Sequence, residues 1–294
     1  DHGVRVWRFR SDAFPVGALL RRLEHHELWW TRNRVQNAAS MYRGFAKLKR
    51  LHAFDLVEMP ECGAEGLLIN HLTRATTVVR FHGPARLVMG DYDVSRADHV
   101  LCSWAERIGI SGAGHFSAPS RFLAEAVRDQ MGVRRPVQLI PNGIDLGWAD
   151  AGPQIDIRRA YDLPRDRPII VFAGRMERRK GIHLMPEIAA SILERYDVAL
   201  VFAGQDLFRY MADTLLPFLG SKRLRGSVHY LGRLELGHVR SCLRQRDVVL
   251  VPSLWENCPY VCLEAMAAGR AIVSSDAGGL PELIHDEANG LLAR

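Results

Sequence analysis

The sequence predicts an α/β protein built from two doubly wound, Rossmann-like parallel sheets in tandem. From residue 169 onward, short apolar runs rich in β-branched residues alternate with stretches that fit helices. The first half alternates less regularly, and residues 150–168, rich in Asp, Pro and Gly, separate the halves. A length of 294 residues suits two domains. We expect these over 1–150 and 151–294, with their strand ends facing a cleft.

The first half begins with an alternating segment that predicts a strand over residues 4–9. Further strands are predicted at 54–59, 77–81, 115–119 and 137–141, with helices between them. The chain opens within an alternating run rather than with Met, and it stops at 290–294 directly after a helix and a turn. We therefore expect both ends to be cut from a longer protein.

The second half shows the more regular pattern. Strands are predicted at 169–173, 197–203, 227–231, 247–252 and 271–275, and helices at 181–195, 206–219, 236–245, 260–268 and 280–285. Strands as apolar as 247–252 are typical of parallel sheets covered on both faces. For the helix over 260–268, Pro259 suits the first position and Gly269 the C-cap.

Composition bounds the class of protein. With 48% hydrophobic and 24% charged residues, the chain is expected to be globular rather than disordered. It contains no apolar run of about 18 residues and no signal-peptide pattern, so no transmembrane helix is predicted. The five cysteines form no CxxC pair and are odd in number, which favours a reducing compartment over a disulfide framework or zinc site. We expect a cytoplasmic protein.

The net charge of +6 is concentrated near the amino terminus. Residues 1–50 hold 11 Lys and Arg against 4 Asp and Glu, a net charge of +7, and the remaining 28 basic and 29 acidic residues net −1. Residues 18–51 mix these cations with Trp and Leu, as in a helix on an anionic membrane surface. The alternative is an ordinary helix with its apolar stripe inward. No nucleic-acid-binding motif accompanies the charge, so no nucleic-acid partner is expected.

Two glutamates eight residues apart, Glu256 and Glu264, lie on either side of a predicted strand–helix boundary. Glu256 falls in the loop at the carboxyl end of strand 247–252, the edge of an open α/β sheet where ligands bind. Glu264 falls one to two turns into the next helix, whose free N–H groups and dipole suit a phosphate. Two carboxylates beside an anion site would repel a ligand that carried phosphates alone. They suit a ligand that has both phosphates and hydroxyls, such as a nucleotide-sugar.

Basic residues follow the first strand of the second half, in GRMERRKG (174–181). Arg175 and Lys180 are placed to reach the same sheet edge, where a guanidinium fork and a point charge together suit a diphosphate leaving group. The alternative is a solvated basic loop, because Arg178 and Arg179 are also present.

Three weaker signals have structural alternatives. Gly278 and Gly279 suit either a close ligand approach or a tight turn. His82, where a strand meets a Gly-Pro turn, is either a cleft residue or a structural histidine. The sequence DYD (91–93) has the form of a metal-binding motif, but no carboxylate or His cluster accompanies it and a capping role is favoured.

Four segments, in this order and spacing, resemble retaining glycosyltransferases of family four. They are PNGID (141–145), GRMERRKG (174–181), ENCPYVCLEAMAAG (256–269) and SDAGGLPELI (275–284). The resemblance covers roughly residues 54–294 and is strongest after 137, with the Glu-x7-Glu block its most specific part. It implies the GT-B architecture and a hexosyltransferase-type enzyme that moves a sugar from a nucleotide-diphosphate donor to an acceptor hydroxyl with retention.

The resemblance also implies roles for individual residues. Arg175 and Lys180 would bind the donor diphosphate, and Glu264 the ribose hydroxyls. Glu256 would contact the donor sugar near its reacting face, and His82 matches a histidine beside that sugar, so these two are the catalytic candidates. The backbone that would help hold sugar and phosphate belongs to Asn257, Cys258, Pro259, Tyr260 and Val261.

The implied partners are a nucleotide-sugar donor and a carbohydrate or lipid-linked acceptor. Neither a metal ion nor another cofactor is expected, because basic side chains and helix amides would replace the cation at the departing diphosphate. The sequence departs from the family at 257–259, where Asn-Cys-Pro replaces a common Gly-Phe-Gly. The family's first strand with its glycine-rich loop, and its carboxyl-terminal helices, have no match here.

Two other classes of function stay open. An epimerase or a phosphorylase-like enzyme on the same architecture would share the nucleotide or phosphate site. A non-catalytic binding module would bind nucleotide without transferring sugar to any acceptor.

Overall fold

The computed structural model describes residues 4–9, 28–222 and 224–294, except for the side chain of Asp91. The chain divides into two compact units, Asp1–Pro141 and Asn142–Arg294. The first contains a four-stranded parallel sheet and the second a six-stranded parallel sheet. The predicted α/β class with two parallel sheets is therefore confirmed.

The sheet of the first unit runs β1–β2–β3–β4 in chain order. Its strands are β1 (Val57–Pro60), β2 (Thr77–Arg80), β3 (His115–Ala118) and β4 (Val137–Leu139). The helices are α1 (Trp29–Lys49), α2 (Gly66–Leu72), α3 (Ala85–Val88), α4 (Arg96–Ser111) and α5 (Arg121–Met131). Ser95 and Ser120 cap α4 and α5 by accepting a backbone N–H three residues on, which sets where each helix begins.

The strand predicted at residues 4–9 is wrong. This segment has no regular secondary structure, and its Val4 and Val6 are 72% and 74% exposed. An alternating pattern makes a strand only where a neighbouring strand pairs its backbone and a core buries one face. The DYD segment also differs from expectation, because Asp91 ends a 3-10 turn (Met89–Asp91) and α4 begins only at Arg96.

Helix α1 covers most of the basic segment 18–51, of which residues 18–27 lie outside the described residues. Its Ala38 and Ala39 are buried, and Tyr42 and Phe45 pack against the core of the first unit. Arg34 is also buried, in an ion pair with Glu106. These side chains face the protein, as in an ordinary helix with its apolar stripe inward.

The sheet of the second unit has the order β10–β9–β8–β5–β6–β7. Its strands are β5 (Ile169–Ala173), β6 (Ala199–Ala203), β7 (Val228–Gly232), β8 (Val248–Val251), β9 (Ala271–Ser275) and β10 (Leu291–Ala293). The chain builds outward from β5 to β7, then returns to the other side of β5 and builds outward again. The strand order reverses between β5 and β8, which is the topological switch point of a doubly wound sheet.

The helices of this unit are α6 (Ile157–Ala160), α7 (Met185–Leu193), α8 (Leu216–Ser221), α9 (Leu236–Arg244), α10 (Tyr260–Ala267) and α11 (Leu280–Leu283). Two begin later than predicted. A 3-10 turn (Ile182–Leu184) precedes α7, and a π-helical turn (Met211–Leu215) precedes α8. Pro186 and Pro217 stand in the first turns of α7 and α8, where a missing N–H costs least.

Pro259 is the N-cap of α10 rather than its first residue, and Gly269 follows the helix with a φ of +64°. The three central strands, β5, β6 and β8, are entirely apolar, as expected where both faces of a sheet are covered, and β6 is buried along its whole length. None of the helices in the described ranges has the length and apolar character needed to cross a bilayer.

Candidate functional site

The candidate site of the second unit lies at its topological switch point. Strands β5 and β8 are parallel neighbours, so their carboxyl ends meet at the same edge of the sheet. The basic loop (174–181) follows β5 and the Glu256 loop (252–259) follows β8. Ligands of open α/β sheets bind at such a reversal of strand order.

A glycine allows these two loops to touch. Gly181 has a φ of +78°, and a Cβ built on it would lie 1.9 Å from the carbonyl oxygen of Pro252. Only glycine combines that backbone conformation with so close an approach. The Leu254 N–H also donates to the carbonyl oxygen of Arg179 over 2.8 Å. The basic loop is thus fixed against the Glu256 loop by its backbone.

The carboxylate of Glu256 is the centre of the charged site. Glu256 is only 5% exposed, yet it is paired with two cations. Lys180 forms an ion pair with its Oε1, and Arg179 Nη1 lies 3.2 Å from its Oε2. The Ser253 hydroxyl donates to Oε1 over 2.9 Å. A buried carboxylate is tolerable here because both oxygens have strong partners.

A second carboxylate, Glu177, joins Arg175 to the cluster. Its Oε1 lies 3.1 Å from Arg175 Nη2 and 3.1 Å from Arg179 Nη2. The Arg179 guanidinium therefore bridges Glu177 and Glu256, and it lies over the Trp255 ring, 5.1 Å from the centroid. The Arg175 side chain is 49% exposed. Within this ion-pair network, three cations against two carboxylates leave one net positive charge.

The loop after β9 supports the Glu256 loop from the other side. The Gly279 N–H donates to the carbonyl oxygen of Glu256 over 2.6 Å, and the Ser275 hydroxyl donates to the carbonyl oxygen of Ser253. Gly278 has a φ of +62°, and a Cβ there would lie 2.4 Å from the Glu256 carbonyl oxygen. These contacts give Gly278 and Gly279 a structural role in holding Glu256.

The start of α10 offers backbone donors beside this cluster. Tyr260 and Val261 occupy its first turn, where N–H groups have no partner within the helix. Cys258 is buried, and its carbonyl oxygen accepts a hydrogen bond of 2.9 Å from Asn142 Nδ2. Pro259 and Asn257 complete the turn from the Glu256 loop into the helix.

Glu264 lies in the second turn of α10, as its spacing predicts. It is half-buried, and this burial raises the pKa of its carboxyl, an effect that the positive charge of Arg240 opposes. A carboxyl whose charge is costly in the free protein is well suited to accept hydrogen bonds from ligand hydroxyls.

The structure thus brings Lys180 directly to Glu256, and it places Arg175 in the same ion-pair network through Glu177 and Arg179. Sequence reasoning did not single out Arg179. This residue contacts two carboxylates, whereas Arg175 and Lys180 contact one each. Residues 178–180 form a 3-10 turn, in which successive side chains point about 120° apart. Nothing in the sequence says which of Arg178 and Arg179 faces Glu256.

His82 lies in the first unit, between β2 and α3, and is exposed. Partial burial of its ring, helped by the positive charge of Arg80 and opposed by Glu58, lowers the pKa of its imidazole. The ring is therefore predominantly neutral at pH 7. The backbone N–H groups of His82 and Gly83 donate to the carboxylate of Glu61, a buried residue that sequence reasoning did not single out.

Two family profiles match the chain. The profile described as Glycosyltransferase Family 4 matches residues 1–148, and the profile described as Glycosyl transferases group 1 matches residues 153–294. They lie end to end, so that nearly the whole chain is matched.

Several curated proteins are similar in sequence. An uncharacterized glycosyltransferase of Methanocaldococcus jannaschii is 36% identical over 162 residues, which cover 53% of this chain and 40% of the relative. The alpha-maltose-1-phosphate synthase of Mycobacterium tuberculosis is 34% identical over 216 residues, covering 69% of this chain and 52% of the relative. The chain thus spans about half the length of these relatives.

Solved structures share the fold. Sucrose-phosphate synthase from Thermosynechococcus elongatus superposes with a TM-score of 0.73 at 22% identity, over 90% of this chain and 65% of that one. The Anabaena protein HepE, solved in complex with UDP-glucose, superposes with a TM-score of 0.67 at 22% identity, over 84% and 67% of the two chains. At this level of identity the likeness establishes the GT-B fold alone.

Proposed function

The chain belongs to glycosyltransferase family 4, and we propose that it transfers a sugar from a nucleotide-diphosphate donor to an acceptor hydroxyl. We further propose that transfer retains the anomeric configuration, needs no metal ion and is of the hexosyltransferase type. The observation that carries this proposal is the pairing of Lys180 and Arg179 with the buried Glu256 at the switch point of the second sheet.

This cluster suits a donor with both phosphates and hydroxyls. A diphosphate would be attracted by the net positive charge and by the partial positive charge at the start of α10. Lys180 and Arg175 would then contact phosphate oxygens, and Arg179 would hold Glu256 in place. The carboxylates of Glu256 and Glu264 would accept hydrogen bonds from the hydroxyls of the sugar and the ribose.

The expected acceleration comes from charge stabilisation at the leaving group. As the glycosidic bond breaks, negative charge grows on the departing diphosphate, and fixed cations nearby lower the barrier. The same cations would do what a divalent ion does in other sugar transferases, so activity should persist in excess EDTA. Retention follows from the family resemblance, in which the acceptor attacks the face from which the diphosphate departs.

His82 is proposed to lie beside the donor sugar, again by resemblance. Its lowered pKa leaves a neutral imidazole at pH 7, which can donate one hydrogen bond and accept another. The acceptor is proposed to be a carbohydrate or a lipid-linked sugar.

A transfer assay with two variants tests the proposal. Release of nucleoside diphosphate from UDP-, GDP- and ADP-sugars would be measured with a panel of carbohydrate acceptors. Glu256→Ala and Lys180→Ala should each lower turnover on the order of a hundredfold, because each removes charge next to the reacting groups. Both variants should still unfold cooperatively on heating, because Lys180 and Glu256 lie in the loops that follow β5 and β8 rather than in the strands themselves.

The matched control is Lys222→Ala, a lysine of the same unit that is 41% exposed in a surface ion pair with Glu194. Its turnover should equal that of the wild type. Near wild-type turnover in both Glu256→Ala and Lys180→Ala would reject the assignment. A product with inverted anomeric configuration, read from its proton coupling constant, would reject retention alone.

A further inference from the structure

The turn that carries His82 is anchored to two buried carboxylates. Glu61 is 1% exposed and Glu106 is fully buried, and both accept hydrogen bonds from backbone N–H groups between residues 82 and 85. Neither residue belongs to the charged site of the second unit. Buried acidic residues are rare in proteins unless their charge is compensated, so their presence under one turn calls for a physical reason.

Glu61 follows β1 and reaches the turn after the neighbouring strand β2. The His82 N–H lies 3.0 Å and 2.9 Å from its two carboxylate oxygens, and the Gly83 N–H lies 2.7 Å from Oε1. Gly83 has a φ of +151°, a conformation that glycine adopts far more readily than other residues and that directs its N–H to Glu61. The backbone on both sides of the His82 side chain is therefore held by one carboxylate.

Glu106, on α4, holds the far end of the same turn. Its Oε2 accepts the Ala85 N–H over 2.6 Å, and its Oε1 accepts both Nε and Nη2 of Arg34, over 2.9 Å and 2.6 Å. Burial raises the pKa of Glu106, and the positive charge of Arg34 opposes that rise. Glu106 is thus held by an ion pair as well as by the Ala85 N–H. Among the described residues, Glu61 has no such cationic partner and depends on backbone N–H groups alone.

Because of this difference, the buried charge of Glu61 lowers the stability of the folded protein. Burial, together with the negative charge of Glu106, raises the pKa of Glu61 from 4.5 to about 7. The N–H donors of Gly83 and His82 oppose this rise only in part. The other ionisable groups near Glu61 and Glu106 are Cys62, Glu65 and Arg34, and of these three only Arg34 is cationic. An apolar side chain would avoid the cost of desolvation but would leave the two N–H groups without an acceptor.

We propose that Glu61 is a positioning residue, whose buried carboxylate fixes the backbone of His82 and Gly83 and thereby sets the place of the His82 ring. This inference rests on the proposed function for its catalytic consequence, but not for the anchoring itself. When Glu61 takes up a proton, one oxygen becomes a donor and the carboxyl becomes a weaker acceptor. The turn should then loosen while the fold persists.

The anchoring is tested first in the wild type, without any substitution. In ¹⁵N-resolved NMR spectra recorded from pH 5 to 9, the amide signals of His82 and Gly83 should move together with a midpoint near 7. The imidazole signals of His82 should titrate at a separate, lower midpoint. A Gly83 amide that does not move through this range would overturn the proposal, whatever the enzyme does.

The variant Glu61→Gln keeps the size of the side chain and removes its charge. The titration step near pH 7 should vanish from both amide signals. At pH 8, kcat should fall on the order of tenfold or more, while KM for the donor stays within about threefold, because a displaced ring affects the reaction more than donor binding. The acid limb of the kcat profile should lose its component near 7.

The control is Glu58→Gln, in strand β1 just before Glu61, because the charge of Glu58 acts on the His82 ring. It should shift the imidazole midpoint downward and leave the Gly83 amide titration and kcat unchanged. Equal kcat and equal pH profiles in the wild type and Glu61→Gln would contradict the positioning role. If the wild type transfers no sugar at all, the proposed function fails, and the amide titration still decides whether Glu61 anchors the turn.

Discussion

Two buried glutamates in this protein are compensated in different ways. Glu256 has Lys180 and Arg179 as cationic partners, so the charge of its buried carboxylate is compensated by ion pairs. Glu61 has only backbone N–H groups and the negative charge of Glu106 nearby. The first arrangement places a carboxylate within a basic cluster. The second produces a group that gains or loses a proton near neutral pH.

The pH dependence of stability should reveal this difference. The pKa of Glu61 is raised from 4.5 to about 7, so between these values the native state holds a proton that the unfolded chain has released. The contribution of Glu61 to the free energy of unfolding is therefore greatest at low pH and falls as the pH rises through this window. Relative to Glu61→Gln, the wild type should lose roughly 2–3 kcal/mol between pH 5 and pH 8.

Urea unfolding midpoints of both proteins at pH 5, 6, 7 and 8 provide the measurement. The difference in unfolding free energy between variant and wild type should grow with pH and level off above pH 8. Parallel curves over the whole range would contradict the assignment of a near-neutral pKa to Glu61.

At the scale of elements, the site depends on loops that approach one another more closely than side chains would allow. The basic loop, the Glu256 loop and the loop after β9 each begin at the carboxyl end of a strand, and glycines stand at their points of contact. Gly181 meets Pro252 and Gly278 meets the backbone of Glu256. The positions of Lys180 and Glu256 are therefore set by backbone contacts as well as by their own ion pair.

Gly181→Ala should separate these loops. Its φ of +78° costs an alanine about 1–2 kcal/mol, and the clash of its Cβ with the Pro252 carbonyl oxygen should add about 1–3 kcal/mol. The matched control is Gly269→Ala, where φ is +64° but no heavy atom lies within 4 Å of the added Cβ. The control isolates the cost of the backbone conformation.

Thermal unfolding and binding of a nucleoside diphosphate would be measured for both variants. Gly181→Ala should be the less stable variant and should bind the nucleotide more weakly, while Gly269→Ala binds as the wild type does. Equal stability of the two variants would show that the loops can move apart at no cost.

The sequence was a good guide wherever local patterns decide structure. The bounds of β5 and β9 agree with prediction because apolar, β-branched runs between turn residues are characteristic of buried strands. The segment at 4–9 has the pattern of a strand, but it pairs with no strand in the part of the chain that the structure describes. The short β10, at Leu291–Ala293, was not predicted, since three residues are too few to show a period.

Contacts between side chains that are far apart in the chain could not be predicted from the sequence. Arg179 reaches Glu256 across 77 positions, and Glu61 reaches the backbone of His82 across 21. Both contacts exist because parallel strands bring the residues after them to one edge of the sheet. The motif predicted which loops meet there, and only the structure identifies which side chains within the loops touch.

At the scale of the whole molecule, each unit contributes one candidate group of residues. The first unit has the His82 turn with its two acidic anchors, and the second has the basic cluster around Glu256. Membership of glycosyltransferase family 4 connects them to a single proposed reaction. The proposed activity belongs to the whole protein, because the matched region spans only about half the length of the curated relatives.

Contact with an anionic membrane is a separate proposal for the first unit. The structure buries Arg34 and packs Phe45 inward, but Lys47 and Lys49 are exposed near the end of α1, and Trp29 is 52% exposed at its start. Sedimentation with phosphatidylserine vesicles and with neutral phosphatidylcholine vesicles provides the test. If the first unit contacts anionic membranes, the protein should bind to the phosphatidylserine vesicles alone. Raising the salt concentration within the physiological range should weaken that binding. Equal recovery with both vesicles would dismiss it.

Calorimetric titration of UDP, GDP and ADP, in the presence of EDTA, tests the central claim most directly. One of these nucleotides should bind the wild type and Lys222→Ala with equal affinity, at one site per chain. Lys180→Ala should bind it at least about tenfold more weakly, because a charge-assisted hydrogen bond to phosphate is worth about 1.5–3 kcal/mol. Undiminished affinity in Lys180→Ala, or no binding of any of the three to the wild type, would contradict a nucleotide-diphosphate site at this switch point.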